Sequence, residues 1–231
     1  MDSITLYQWP PVGGFESSSP FCNKVHYALH YKRLAFDVKT VFNPAEVQTL
    51  NVRGKLPALT WNDATIVDST DIIRFIEEHA PTPPLYPHDP KARAQALLIE
   101  EWADESLYWH LVYERWNIDD QVKLYLDELF TGAPEEARVA IRTHVVGQLN
   151  GHGLGLYPLH EHRAKMSAAL DWVESLAGNG FLCGPELSVA DIATVAEVEG
   201  LDVPFTPYSS AEVRKRAGLM RWMDRVKAAV S

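Results

Sequence analysis

Cysteine is almost missing from this chain: Cys22 and Cys183 are the only two in 231 residues. Two thiols cannot build a disulfide scaffold, so the chain must fold on an apolar core, and a reducing, cytoplasmic compartment is expected. No run approaches the ~18 consecutive apolar residues of a membrane span. The opening MDSITLYQW lacks the basic start and apolar core of a secretion signal, so membrane insertion is not expected. Basic residues are in deficit: 21 Lys and Arg against 31 Asp and Glu leave a formal charge of −10, the wrong sign for nucleic acid or an anionic membrane as main partner. Glycine (13) and proline (15) are too few for a low-complexity chain, and 46% hydrophobic residues are too many for disorder. What is left is a globular protein with room for one large domain or two small ones.

The charge is divided unevenly. Residues 1–81 carry nine acidic and seven basic side chains, whereas residues 82–231 carry twenty-two and fourteen. Between them, Pro81 to Pro90 (PTPPLYPHDP) holds five prolines in ten positions. Proline stops a helix and stiffens the chain, so residues 82–90 read as an extended linker, or as a proline-rich loop within one domain. The division predicts domains at 1–81 and 91–231.

The two sides differ in pattern. Ser3–Tyr7 and Phe36–Val41 read as strands, and Pro20–Tyr31 between them repeats Phe21, Val25, Ala28 and Leu29 at helical spacing. A strand, a helix and a strand make a right-handed crossover with parallel strands. A short helix (Pro44–Leu50) follows, then PALTW and ATIV around the turn pair Asn62-Asp63, a hairpin signal, and a helix from Ser69 to His79. Beyond the linker only helices are expected: 92–116, 121–130, 134–150, 160–177, 188–199 and 211–230. Ser188 and Asp191 form a capping pair, with Leu187 placed to staple onto Ile192. The fold class is therefore α/β, built as βαβ then ββα, followed by an all-α domain.

That order, with the stretches SPFCNKV, GKLPAL, VDSTDIIRFIE and FLCGPELSVADIA in sequence, resembles the glutathione S-transferase superfamily across nearly the whole chain. LYQW, SPFC and LYWHLVYERW (107–116) resemble its failed-axon-connections and metaxin-like branch. The resemblance implies a thioredoxin-like first domain, glutathione as co-substrate with no metal, a small electrophile or peroxide as second substrate, a detoxifying transferase activity and a homodimer. A non-catalytic adaptor on the same scaffold is the alternative.

It also implies where glutathione would sit. Pro57 matches the family's cis proline, which would turn the backbone N–H and C=O of Leu56 outward to pair with an extended peptide; by itself Pro57 equally suits a strand start. Asp68 and Ser69 open the 69–79 helix, whose unpaired N–H groups suit the γ-glutamyl carboxylate, with Asp68 for its amino group; either residue could instead simply cap the helix. Lys55, with Arg53, is placed for the glycyl carboxylate or is a solvated surface charge. Ser19 precedes Pro20 at the cap position of a helix start, at the place from which the family directs a hydroxyl at the sulfur; it could equally be a cap with no part in chemistry, and Tyr7 is the second candidate. Ser17 and Ser18 adjoin it, and the loop from Gln8 to Ser18 is longer than the family's usual one. Tyr108 and Arg115, seven residues apart on one helix face, are candidates for a second-substrate pocket, while Trp102, Trp109 and Trp116 suit packing between domains. Cys22 and Cys183 read as buried structural thiols, because Ser-x-x-Cys lacks the attacking cysteine of a dithiol motif. His152, His160 and His162 have no metal-site spacing and read as surface residues.

Overall fold

Alternating apolar residues in β1 (Ile4–Gln8) bury Ile4, Leu6 and Gln8 and leave Thr5 and Tyr7 half-buried. The computed structural model describes residues 2–231. In it β1 pairs parallel with β2 (Asp37–Thr40) and antiparallel with β3 (Ala58–Trp61), which pairs antiparallel with β4 (Ala64–Val67). The order β2-β1-β3-β4 follows from one crossover through α1 (Pro20–Tyr31) and one hairpin, whose turn is made by Asn62 at φ 52°. One sheet face, with Leu6, Leu59 and Trp61, packs on Val25 and Leu29 of α1 and on Ile72 and Ile76 of α3 (Ser69–His79). The other face gathers Tyr7, Cys22, Val41, Leu56 and Ala58 with Val47 of α2 (Pro44–Leu50). This is a thioredoxin-like sheet with its helices.

The proline-rich segment is tied down on both sides: the Leu85 N–H donates to the Glu77 carboxylate, and its carbonyl accepts from Val189 N–H at 2.9 Å. Asp89 caps α4 (Pro90–Trp102) through Ala92 N–H at 2.8 Å. Helices α5 (Tyr108–Trp116), α6 (Asp119–Leu129), α7 (Glu135–His152), α8 (Leu159–Ala177), α9 (Val189–Leu201), α10 (Pro207–Arg214) and α11 (Ala217–Ala229) complete the helical half. Every residue of α9 is buried, as expected of a helix apolar nearly all round. Asp191 at its start accepts from Ser188 N–H (3.0 Å), Ser188 Oγ (3.1 Å), Leu182 N–H (2.8 Å) and Trp222 Nε1 (2.9 Å). The Ser188 hydroxyl thus donates to the Asp191 carboxylate, while the Asp191 N–H bonds the Ser188 carbonyl.

Four expectations need correction. The helix expected over 92–116 is interrupted by one wide turn of π type at Ala103–Leu107. The helix expected over 211–230 is two, because Arg216 leaves the helical path (ψ 93°) to dock inward on Asp171 at 2.7 Å and on Ser167. His162 is not a surface residue: it continues the buried stripe of α8 (His162, Met166, Leu170, Val173), stacks on Tyr113 at 3.7 Å and lies with Nε2 3.2 Å from the Glu114 carboxylate. Cys22 is buried, but Cys183 is only half-buried.

Candidate functional site

Three chain segments converge beside the start of α1, and each leaves polar groups unspent. The first is the turn Ser17-Ser18-Ser19. Ser17 is buried and fully engaged: its hydroxyl donates to Trp9 O at 2.9 Å and accepts from Ser19 N–H at 3.2 Å, while its backbone exchanges bonds with the Asn23 amide at 3.0 and 3.1 Å. Ser19 occupies the position before α1 in extended conformation (φ −99°, ψ 122°), yet its side chain does not cap the helix. Ser19 is half-buried, and Pro20 after it has no N–H to offer. Behind it lies Cys22, whose thiol is pushed up by burial against the pull of the Trp9 backbone and the Ser17 and Ser19 hydroxyls; it stays a protonated packing residue.

The second segment is Lys55-Leu56-Pro57. The Leu56–Pro57 bond is cis. Leu56 buries its side chain with Tyr7, Cys22 and Ala58, and among the described residues neither its N–H nor its C=O has a partner. Lys55 is exposed beside it, and its carbonyl accepts from Asn51 Nδ2 at 2.9 Å. Tyr7, opposite Ala58 in the ladder, shares this cluster, with the Lys39 ammonium 5.5 Å from its ring centre.

The third segment opens α3. Asp68 is exposed and sits at φ 77°, a conformation costly for a residue with a Cβ, and its carboxylate accepts from Thr70 N–H at 3.0 Å. Ser69 is buried, and its hydroxyl makes no bond among the described residues. Thr70 Oγ1 accepts from Lys24 Nζ of α1 at 3.2 Å. Lys24 is itself buried and paired with Glu100 (2.8 Å) and Asp104 (2.6 Å) of the helical half. Burial disfavours its charge, but those two carboxylates hold it protonated, above the ordinary lysine value. The start of α3 is therefore bolted to α1 and to the wide turn at once.

The helical half supplies the remaining wall. Tyr108 packs its ring on Phe21, 4.7 Å between centres, beside the start of α1. Arg115 does not share that wall. It is buried beneath the serine turn, donating from Nη1 to Ser18 O and from Nη2 to Gly200 O, both at 2.9 Å. Two open grooves, of about 610 and 740 Å³, lie elsewhere, along α8 at Arg163 and Tyr208 and between Trp102, His110 and Trp172. Among the described residues no group of three or more His, Cys, Asp or Glu is gathered for a metal ion. Among the same residues no helix is long and apolar enough to cross a membrane.

The structure thus gathers Tyr7 and Leu56 around Cys22 of α1, whose thiol the Ser19 hydroxyl touches, ties the Asp68-Ser69 helix start to α1 through Thr70, and sets Tyr108 against Phe21. Sequence reasoning missed Lys24, Thr70, Glu100 and Asp104. Lys24 could have been found, since it falls on the α1 face defined by Phe21 and Ala28; a lysine there needs a buried counter-charge.

The family model for the glutathione S-transferase N-terminal domain matches residues 18–79, and that for the C-terminal domain matches 157–225. Protein LigF of Sphingobium sp. strain SYK-6 is 26% identical over 98% of this chain and 90% of its own length. A crystal structure of the beta-etherase LigF from the same strain shares the fold with a TM-score of 0.71, at 22% identity over 99% of this chain and 97% of that one. FtsZ-localized protein A of Caulobacter vibrioides is 26% identical over 84% of this chain and 79% of its length. A glutathione S-transferase of Methylobacterium radiotolerans, solved in complex with glutathione sulfonate, superposes at a TM-score of 0.67 with 22% identity, covering 98% of this chain and 91% of that one.

Proposed function

The chain belongs to the glutathione S-transferase superfamily, and from that membership and the site's geometry we propose that it binds glutathione and activates its thiol for attack on a small electrophile or a peroxide. The carrying observation is the unpaired backbone of Leu56, together with a Ser69 hydroxyl that the start of α3 leaves unbonded. An extended tripeptide laid along Leu56 pairs its cysteinyl main chain as one more strand would. Its γ-glutamyl carboxylate then meets the start of α3 and the Ser69 hydroxyl, its amino group meets Asp68, and its glycyl carboxylate lies toward Lys55. The thiol falls at Ser19. A free thiol titrates near pH 8.5, so little is thiolate at neutral pH; a donated hydroxyl and a helix start favour the anion. The thiol proton leaves to solvent, and the sulfur lone pair forms the new bond to the electrophilic centre as the leaving group departs. Tyr108 would face that electrophile. The names of LigF and of the transferase solved with glutathione sulfonate fit this reading.

The test is a calorimetric titration with glutathione. Binding at micromolar to millimolar strength is expected, abolished in Asp68→Ala/Ser69→Ala with the circular dichroism unchanged. The likeness to FtsZ-localized protein A favours a second reading, recruitment of a partner without turnover. No heat and no thermal shift with glutathione at about 10 mM, together with an unimpaired fold, would select it.

A further inference from the structure

Arg115 is a guanidinium with 3% of its surface exposed and no carboxylate among its bonding partners. Buried cations are ordinarily paired, and an unpaired one is expensive. Its own helix brings Tyr108. Tyr125 comes from α6, with its ring centre 5.5 Å from the guanidinium carbon, and Phe205 lies at 5.6 Å. From α9 comes Glu197, fully buried, with Oε2 unbonded; from α1, Lys24. Lys24 is already taken by Glu100 and Asp104. Burial pushes the Glu197 carboxyl well above its usual range, although Arg115 and Lys24 pull it down. Among the described residues no carboxylate pairs with Arg115, whose charge rests on two backbone carbonyls and two aromatic rings in a low-dielectric interior.

It is also aimed. Nη1 holds the Ser18 carbonyl, and the other end of the same peptide, Ser19 N–H, is held by the Ser17 hydroxyl. That peptide plane is fixed at both ends, which fixes the place of the Ser19 Cα from which the side chain leaves. Gly200 lets α5 approach this closely: a Cβ there would come within 2.0 Å of Leu111 Cδ1 and 3.1 Å of Nη2.

Resting on the glutathione reading above, we propose that Arg115 is the positioning residue of the thiol site: it orients Ser19 through the Ser18 carbonyl and supplies, from beneath the turn, the positive charge that favours the thiolate over the thiol. The helical domain then takes part in activating a sulfur bound by the other domain.

The experiment follows the ultraviolet absorbance of bound thiolate against pH, beside glutathione affinity by calorimetry. In Arg115→Gln the thiol pKa should rise by about one unit, a tenfold weaker ionisation constant, with the dissociation constant changed less than about threefold. Arg115→Met, whose chain suits the nest of Leu111, Tyr125 and Phe205, should show the same rise and serves where the glutamine variant does not fold. Arg115→Lys keeps the charge and should recover more than half of the shift. An unchanged pKa in the neutral variants, with glutathione bound, overturns the proposal. So does a lysine variant as impaired as the neutral ones, which would leave Arg115 a packing residue. A wild-type protein that binds no glutathione overturns the parent reading instead.

Discussion

Three adjacent serines at the start of α1 have different duties, and their bonds tell them apart. Ser17 spends its hydroxyl on Trp9 O and on Ser19 N–H, so Ser17→Ala should cost about 1–2 kcal/mol of stability and leave thiol chemistry nearly untouched. Ser19 has no such duty. Ser19→Ala should leave the melting temperature within about 2 °C, raise the pKa of the bound thiol and slow turnover ten- to a hundredfold, roughly 1.5–3 kcal/mol for one charge-assisted bond. Tyr7→Phe is the rival substitution, since it keeps the ring packed on Leu56 and Ala58 and deletes only the hydroxyl. A thiolate shift seen in Tyr7→Phe alone would make Tyr7 the activator and Ser19 a spacer before the helix. Measured stability and thiolate absorbance for the three variants separate these roles.

At the scale of elements, α1 carries most of the design, and most of it could be read in advance. Pro20 opens it, the Phe21-Val25-Ala28-Leu29 stripe fixes its face, and its ends fall where periodicity puts them. The same held for α2, α3 and the β3–β4 hairpin, since local pattern and tertiary burial agree there. The wide turn at 103–107 was illegible, because ADESL has no Pro, Gly or break in helix propensity. The turn sets Asp104 against Lys24 of α1, a tertiary contact that the local sequence does not announce. Likewise Arg115 stands at helical spacing from Tyr108 and reads as a wall residue until the serine turn is folded over it. Lys24→Ala should strand two buried carboxylates and cost about 3–5 kcal/mol in urea denaturation, a far larger loss than an exposed pair gives. The elements also set the acid response. His26 of α1 bonds Gln8, and burial, helped by His30, lowers it to about 4; His110 of α5 is lowered to about 3 by burial and by His162. Unfolding lets both rise toward about 6.5, so between roughly pH 4 and 6.5 the unfolded chain binds more protons. Stability should therefore be full above about pH 6.5 and fall on acidification toward pH 4, by as much as ~1.4 kcal/mol per pH unit for each histidine. Melting temperatures from pH 7 to 4.5, compared with those of His26→Gln, check the sign: a flat profile in the wild type would refute it.

Across the whole molecule one core joins the two halves. Val12, Ala28 and Ile73 of the first half are continuous with Leu85, Leu107, Leu111 and Ile192, and Tyr27 of α1 bonds Glu199 of α9. A boundary crossed by a shared core and by the Lys24 pairs should not open on its own, so heating should give one transition by calorimetry and by fluorescence alike. What the core does not explain is the apolar surface left outside it. Phe42 is 74% exposed and Val52 93%, both on the first half; Leu98 (71%), Trp172 (59%) and Leu176 (53%) lie on helices α4 and α8 of the other. Singly such residues mean little, but two apolar groups on opposite halves meet the requirement of a two-fold pair, in which each half covers the partner's other half. A homodimer of this kind would bury something like 1,600 Å² or more, with the tryptophan near its centre. Light scattering at tens of micromolar should then return a mass near twice the 26.0 kDa of the chain. Trp172→Glu, which puts a charge into that contact without touching the thiol site, should return the single mass and leave the thiolate titration in place. If the wild type itself scatters as one chain, the exposed apolar groups have another use and the two-fold arrangement is wrong. If Trp172→Glu stays double, the interface lies on some other face.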